Sequence, residues 1–297
     1  MSVHDAPIGS AGPGAAPDSP GGSLLRRRAG QAAAAFMLEA GQQLRGLGAL
    51  GLAILALLPS LPWAIAWAVR TAVGGGPALA DTPGTFAGLF QGFVLPLALF
   101  FACVVVFTGI VRRDVRQRTL HHYLLCPLRR EVLLGGRFAA GVAVAFAFLG
   151  TGTVLAYALA HLQLLGSERF AVERFFSAGP GFAHLGAYVA VALLGCVGYG
   201  AVFTALGLFV RNPIVPVIAV AGWESLTPWL PPGLKAITIY HYLRALCPVP
   251  VAEGPFELLG EPPSPWLGVL GLLVMAAALL ALAGWKLRRL EIDYGDE

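Results

Sequence analysis

Charge is scarce in this chain: of 297 residues only 12% are Asp, Glu, Lys or Arg, while 57% are hydrophobic, against roughly a quarter charged in soluble domains. With a mean hydropathy of +0.73, too few charges are present to cover a water-soluble core, so the chain belongs in a lipid bilayer. Lysine is scarcer still. Lys235 and Lys286 follow Leu234 and Trp285 rather than glycine, which excludes the Gly-Lys-Ser/Thr phosphate grip of a P-loop, so no ATP site is expected on this chain. The four cysteines, Cys103, Cys126, Cys196 and Cys247, form no C-x-x-C pair, and neither a disulfide framework nor a structural zinc site follows.

Clustered catalytic groups are lacking too. No Ser/His, paired-carboxylate or His/Glu constellation has the spacing an intramembrane enzyme needs, and no catalytic residue is assigned. His121 and His122 are adjacent, and helical neighbours do not share a face. His4 lies in the tail, while His161, His184 and His241 fall at span ends or in an external loop, as interfacial polar residues do; no metal site is expected. The net charge of +4 comes from arginines flanking apolar runs, a pattern of membrane topology and not of nucleic-acid binding.

What is present is a succession of apolar runs. Residues 1–30, rich in Gly, Pro, Ala and Ser, are expected to form a disordered tail. The first long apolar run starts only after Arg45, so no cleaved signal is expected. Over 31–46, Ala33, Phe36, Met37, Ala40 and Leu44 share one helical face and Glu39, Gln42 and Gln43 another, which predicts an amphipathic helix in the membrane interface, with Arg26, Arg27 and Arg28 towards anionic lipid. Six runs of spanning length or nearly so follow, at 47–69, 86–111, 138–162, 182–210, 213–230 and 266–285, where about 20 helical residues cross a hydrocarbon core. The expected fold is all-α, a polytopic bundle of six transmembrane helices. Fifteen Lys and Arg residues fall on one side and five on the other, so both termini, including the tail 286–297, are expected in the cytoplasm of a plasma-membrane protein.

Two connections carry more than turns. The cytoplasmic loop 112–137 is basic, and Pro127, the Leu128 to Leu134 stretch and the pair Gly135 and Gly136 read as a short helix with its start and stop. The external loop 231–265 mixes prolines with Ile237, Ile239, Tyr240, Leu243 and Leu246, and short helices dipping into the outer leaflet are expected there. Within the fourth run, Gly195, Gly198, Gly200 and Gly207 permit close helix packing.

The stretch from Asp114 to Arg137, DVRQRTLHHYLLCPLRREVLLGGR, resembles the loop between the second and third spans of ABC-2 type permeases, the membrane subunits of ATP-driven exporters. Asp114 stands at that family's acidic position, Thr119 and Leu120 at its Thr-Leu, Pro127 at its Pro, Arg130 at its Arg, and Gly136 with Arg137 at its Gly-Lys. Arg118 replaces the usual glycine. The overall layout of interface helix, six spans and external helices before the last span is similar as well. The resemblance implies that the loop couples to a separate cytosolic ABC ATPase, which holds ATP and Mg, and that a second permease subunit, identical or not, completes the assembly among membrane lipids. In that setting Pro127 fixes the turn into a coupling helix, Leu128, Leu133 and Leu134 give apolar contact, and Arg129, Arg130 and Glu131 give charge complementarity.

Glu224 is the lone acidic residue inside an expected span. A carboxylate at the bilayer centre costs about 2.5–3.5 kcal/mol on insertion scales, so it should face the bundle, a cavity or the interface; Trp223 and Trp229 point towards the outer headgroups. Tyr240, His241 and Tyr242 could line a lateral gate or belong to an aromatic belt. The alternative to an ATP-driven permease is a proton-coupled secondary transporter working through Glu224.

Overall fold

The computed structural model describes residues 20–45, 47–73, 81–110, 130–162, 164–165, 168–210, 212, 214–251 and 264–288. The described residues are all-α, with no strand among them. The elements are α1 (Pro20–Gln43), α2 (Leu47–Leu57), α3 (Leu61–Val73), α4 (Thr82–Leu89), α5 (Phe100–Phe107), α6 (Arg130–Leu162), α7 (Arg169–Ser177), α8 (Gly181–Phe209), α9 (Ile214–Ser225), α10 (Pro232–Lys235), α11 (Ile239–Ala245) and α12 (Pro265–Arg288).

Among the described residues, five stretches are long and apolar enough to cross a membrane: Gly48–Val69, Thr82–Phe107, Glu131–Leu162, Gly181–Phe209 and Pro265–Arg288. This makes the chain a multi-pass membrane protein by length and composition. The first stretch is α2 and α3 joined by a tight turn at Leu58–Ser60, where Pro59 interrupts the α-helical ladder and Ser60 Oγ donates to the Leu57 carbonyl at 2.6 Å. The second joins α4 and α5 through a π-helical stretch, Phe90–Leu99, that contains Pro96. The fifth apolar run, expected over 213–230, differs: its helix α9 has only 12 residues, about 18 Å, and is followed by a tight turn at Thr227–Trp229 and the short helices α10 and α11. Pro228 and Pro231 supply no N–H to carry the ladder on.

Three boundaries depart from the sequence expectation. Helix α1 starts at Pro20, so the segment 20–30 is helical rather than tail; proline suits a first helical turn, and Leu24 to Arg28 are good helix formers. Residues 1–19 lie outside the described residues. The helix read as lying in the interface packs along the start of α6 through its polar side, with Glu39 and Gln43 buried and Met37 and Leu44 exposed. Finally, Gly135 and Gly136 do not stop a short coupling helix: α6 runs unbroken from Arg130, and its residues 130–134 are the first turn of the third span. Gly136 is there for packing, because a Cβ on it would lie 2.7 Å from the Ala32 carbonyl oxygen of α1.

The second and fourth membrane stretches form the centre. Phe100, Phe107, Cys103, Tyr199 and Phe203 are buried between them, and the Phe100 ring meets those of Tyr199 and Phe203 edge-on at 5.4 and 5.1 Å. Helix α8 turns glycines towards three different neighbours: Gly195 to Leu99, Gly198 to Ile239 and Leu272, and Gly200 to Phe107. Helices α2 and α6 approach still more closely, and a methyl on Gly152 would fall on the Ala56 carbonyl. Gly152→Ala is therefore expected to lower the apparent Tm of the detergent-solubilised protein by several degrees, since overpacking costs about 1–3 kcal/mol. Gly186→Ala, where a Cβ meets nothing within 4 Å, should leave it unchanged in the same thermal scan.

Candidate functional site

Two polar clusters stand out against the apolar bundle. The first lies at the Arg-rich end, where the last described residue of the second span, Ile110, meets the start of α6. Arg137 Nη1 donates to the Ile110 carbonyl at 3.3 Å. The Arg137 Nε lies 4.0 Å from Glu39 Oε2 of α1, and Gln43 Nε2 donates to Glu39 Oε1 at 2.9 Å. All three side chains are buried. Glu131, six residues earlier on α6, is ion-paired with Arg288 at the end of α12. Arg137 thus links Ile110 to α6 and α1, and Glu131 links the first turn of α6 to α12.

Asp114, Thr119, Leu120, Pro127 and Arg129 lie outside the described residues, and Arg130 opens α6. Glu131 and Arg137 belong to the brace just described. Arg137, matched by sequence to a family lysine, turns its charge into the bundle. It acts as a positioning residue for the segment's two ends.

The second cluster surrounds Glu224. Its two carboxylate oxygens accept the backbone N–H groups of Ile239 and Tyr240, each at 3.0 Å, and Tyr199 Oη donates to it at 3.2 Å. Ile239 and Tyr240 open α11, so the Glu224 side chain fills the place of an N-cap supplied from another helix. A negative group there also suits the positive end of the α11 dipole. The Thr238 hydroxyl, which could have capped α11 locally, instead donates to the Lys235 carbonyl at 2.8 Å.

Counting 1.5 Å per residue, Glu224 lies about 15 Å along α9 from Ile214, and Tyr199 about 15 Å along α8 from Phe209.

The outer part of this cluster rests on Gln91. In the i→i+5 pattern of the π-helical stretch, the Gln91 carbonyl would take its donor from residue 96, which is a proline without an N–H. Tyr240 Oη fills the gap, donating to that carbonyl at 3.0 Å. The Gln91 side chain is spoken for as well: Nε2 donates to the Val249 carbonyl at 2.7 Å, and Oε1 accepts from Arg244 Nε at 3.0 Å. Tyr242 Oη donates to the Ala236 carbonyl at 2.8 Å, while the His241 ring lies 5.8 Å from that of Tyr242.

Glu224 and Tyr240 are therefore brought together, with His241 and Tyr242 following on α11, but this group is remote from Glu131 and Arg137. Among the described residues no group of three His, Cys, Asp or Glu side chains is arranged to hold a metal. Sequence reasoning missed Glu39, Gln43, Gln91, Tyr199 and Arg244. The available signal was a lone amide, Gln91, in an apolar run five residues before a proline. No family model matches the chain, and no curated protein matches it.

Breaking one partner of a buried ion pair costs about 3–5 kcal/mol, whereas replacing both by apolar residues is often neutral. Arg137→Met should therefore destabilise the purified protein strongly in chemical denaturation, and Glu39→Met together with Arg137→Met should recover most of the loss. Additive losses in the double variant would contradict the pairing.

Proposed function

We propose that this chain is the membrane-spanning permease subunit of an ATP-driven ABC-2 type exporter. It forms part of a substrate pathway and couples to a separate cytosolic ATPase that carries ATP and Mg. In this reading the protein sits in the plasma membrane with its Arg-rich end and both termini in the cytoplasm. The broken segment from Ile214 to Ala245 makes the sixth crossing. A second permease subunit completes the pathway, and the substrate is hydrophobic or amphipathic.

The observation that carries the proposal is the closed neck formed by Arg137 across Ile110 and Glu39. The segment hanging from that neck is the one with the Asp114 to Arg137 motif. A loop whose ends are tied can pass a push from a docked ATPase to two spans as one body, where an open loop would absorb it in backbone rotation. The Glu131–Arg288 pair extends the same body to the last span.

The proton-coupled alternative draws less support. Both Glu224 oxygens already accept backbone donors of α11, so a proton on the carboxyl would displace a cap and leave a buried N–H unpaired.

The test is co-purification and ATP turnover with a candidate ABC ATPase co-expressed with this chain, using Arg129→Glu with Arg130→Glu. Association and stimulated hydrolysis should fall about tenfold or more, the equivalent of ~1.4 kcal/mol, while membrane insertion is unchanged. Full association and turnover in a variant that inserts normally would refute the coupling role.

A further inference from the structure

At the elbow where α1 gives way to α2, a cavity of about 410 Å³ opens between the first and second spans. Its lining is graded. Gln42, Gln43 and Arg45 form the end nearest the elbow, and Leu52, Val105 and Val106 form the wall further into the spans. Arg45 is exposed, and among the described residues its side chain has neither an acidic partner nor a hydrogen-bond acceptor. No acidic side chain lines the cavity, in contrast to the second cavity of the Arg-rich end, which carries both Glu131 and Arg288.

We propose that this elbow cavity binds an anionic glycerophospholipid of the leaflet at the Arg-rich end. The phosphate sits against Arg45 and Gln42, and the first part of one acyl chain lies along Leu52, Val105 and Val106. Three features select that ligand. The single unpaired cation selects a net negative headgroup and gives an ammonium-bearing one no counter-charge. The change from polar to apolar lining along the helix axes matches the headgroup-to-chain order of a lipid standing in its leaflet. The volume lies in the range of small-ligand cavities, too small for a helix of a partner protein. The site adjoins the neck, because Gln43 also holds Glu39 against Arg137. A lipid seated here packs against the wall that braces the loop.

The inference needs only a membrane-embedded chain, and its assay contains no ATPase, so its failure is separable from failure of the exporter reading. The full chain, purified in detergent, is titrated with phosphatidylglycerol or with phosphatidylcholine of the same acyl chains, and retained lipid is counted by native mass spectrometry. About fivefold tighter retention of phosphatidylglycerol is expected, the worth of one interfacial Arg. Arg45→Gln should bring it down to the phosphatidylcholine level.

A Cβ on Gly48, which also lines the cavity, meets nothing within 4 Å. Gly48→Leu therefore adds bulk from a lining position whose Cβ is free of contacts and should reduce retention of both lipids, a result that stands alone if Arg45→Gln does not fold. Unchanged preference in Arg45→Gln, or unchanged retention in Gly48→Leu, would overturn the proposal. Displacement of the lipid by inorganic phosphate at equal concentration would overturn it too, by assigning the site to a soluble anion.

Discussion

Inside hydrocarbon no water is present to satisfy a broken backbone, so every interruption of a membrane helix must find its hydrogen bonds within the protein. The carboxylate of Glu224 answers that constraint for the largest interruption in this chain. Helix α9 ends at Ser225, and α11 begins again at Ile239, folded back onto the Glu224 side chain. The N–H groups that open α11 have no intrahelical acceptor. The two oxygens of Glu224 take both of them, and Tyr199 from α8 holds the carboxylate in place. Gln91 solves the matching problem one layer outwards, where Pro96 leaves a carbonyl without its donor and Tyr240 provides one. One tyrosine thus offers its backbone to Glu224 and its hydroxyl to Gln91, and it ties the broken segment to the second span.

The same logic shapes the Arg-rich end. Arg137, two turns into α6, reaches the Ile110 carbonyl and stands beside Glu39 of α1, away from water. Two rigid polar knots therefore sit at different depths of a bundle that is otherwise held by apolar packing. The central helix α8 holds the Glu224 knot through Tyr199 and meets the end of α12 where Lys286 lies over the Phe209 ring. That arrangement suits a subunit driven from one face, which is the function proposed for it.

Much of the architecture was legible in the sequence because hydropathy is a direct physical signal. The second, third, fourth and last long helices cover the apolar runs expected for them, and the paucity of charge sufficed to put the chain in a bilayer. The breaks were less legible. Gly135 and Gly136 carry the marks of a helix stop, yet α6 passes through them, since what they answer to is the close approach of α1, a tertiary fact.

The fifth run was apolar enough to pass for a full span. Its prolines end the helix, and the acceptor that makes the break tolerable is a side chain whose partners lie 15 and 16 positions further on. Glu224 was visible as an anomaly, but neither its depth nor its capping role could be read without knowing that Ile239 returns to the same level. Glu39 and Gln43 were visible as a polar stripe. That the stripe faces protein depends on Arg137, which the resemblance places among the coupling residues of the loop.

The claim on which this account rests is that the Glu224 carboxylate holds the break. Hydrogen–deuterium exchange of the protein in lipid nanodiscs, read at the amides of Ile239 and Tyr240 in the native chain and in Glu224→Leu, tests it most directly. Strong protection in the native chain, lost at those two positions in the variant while α8 stays protected, is the predicted result; equal protection in both proteins would contradict it.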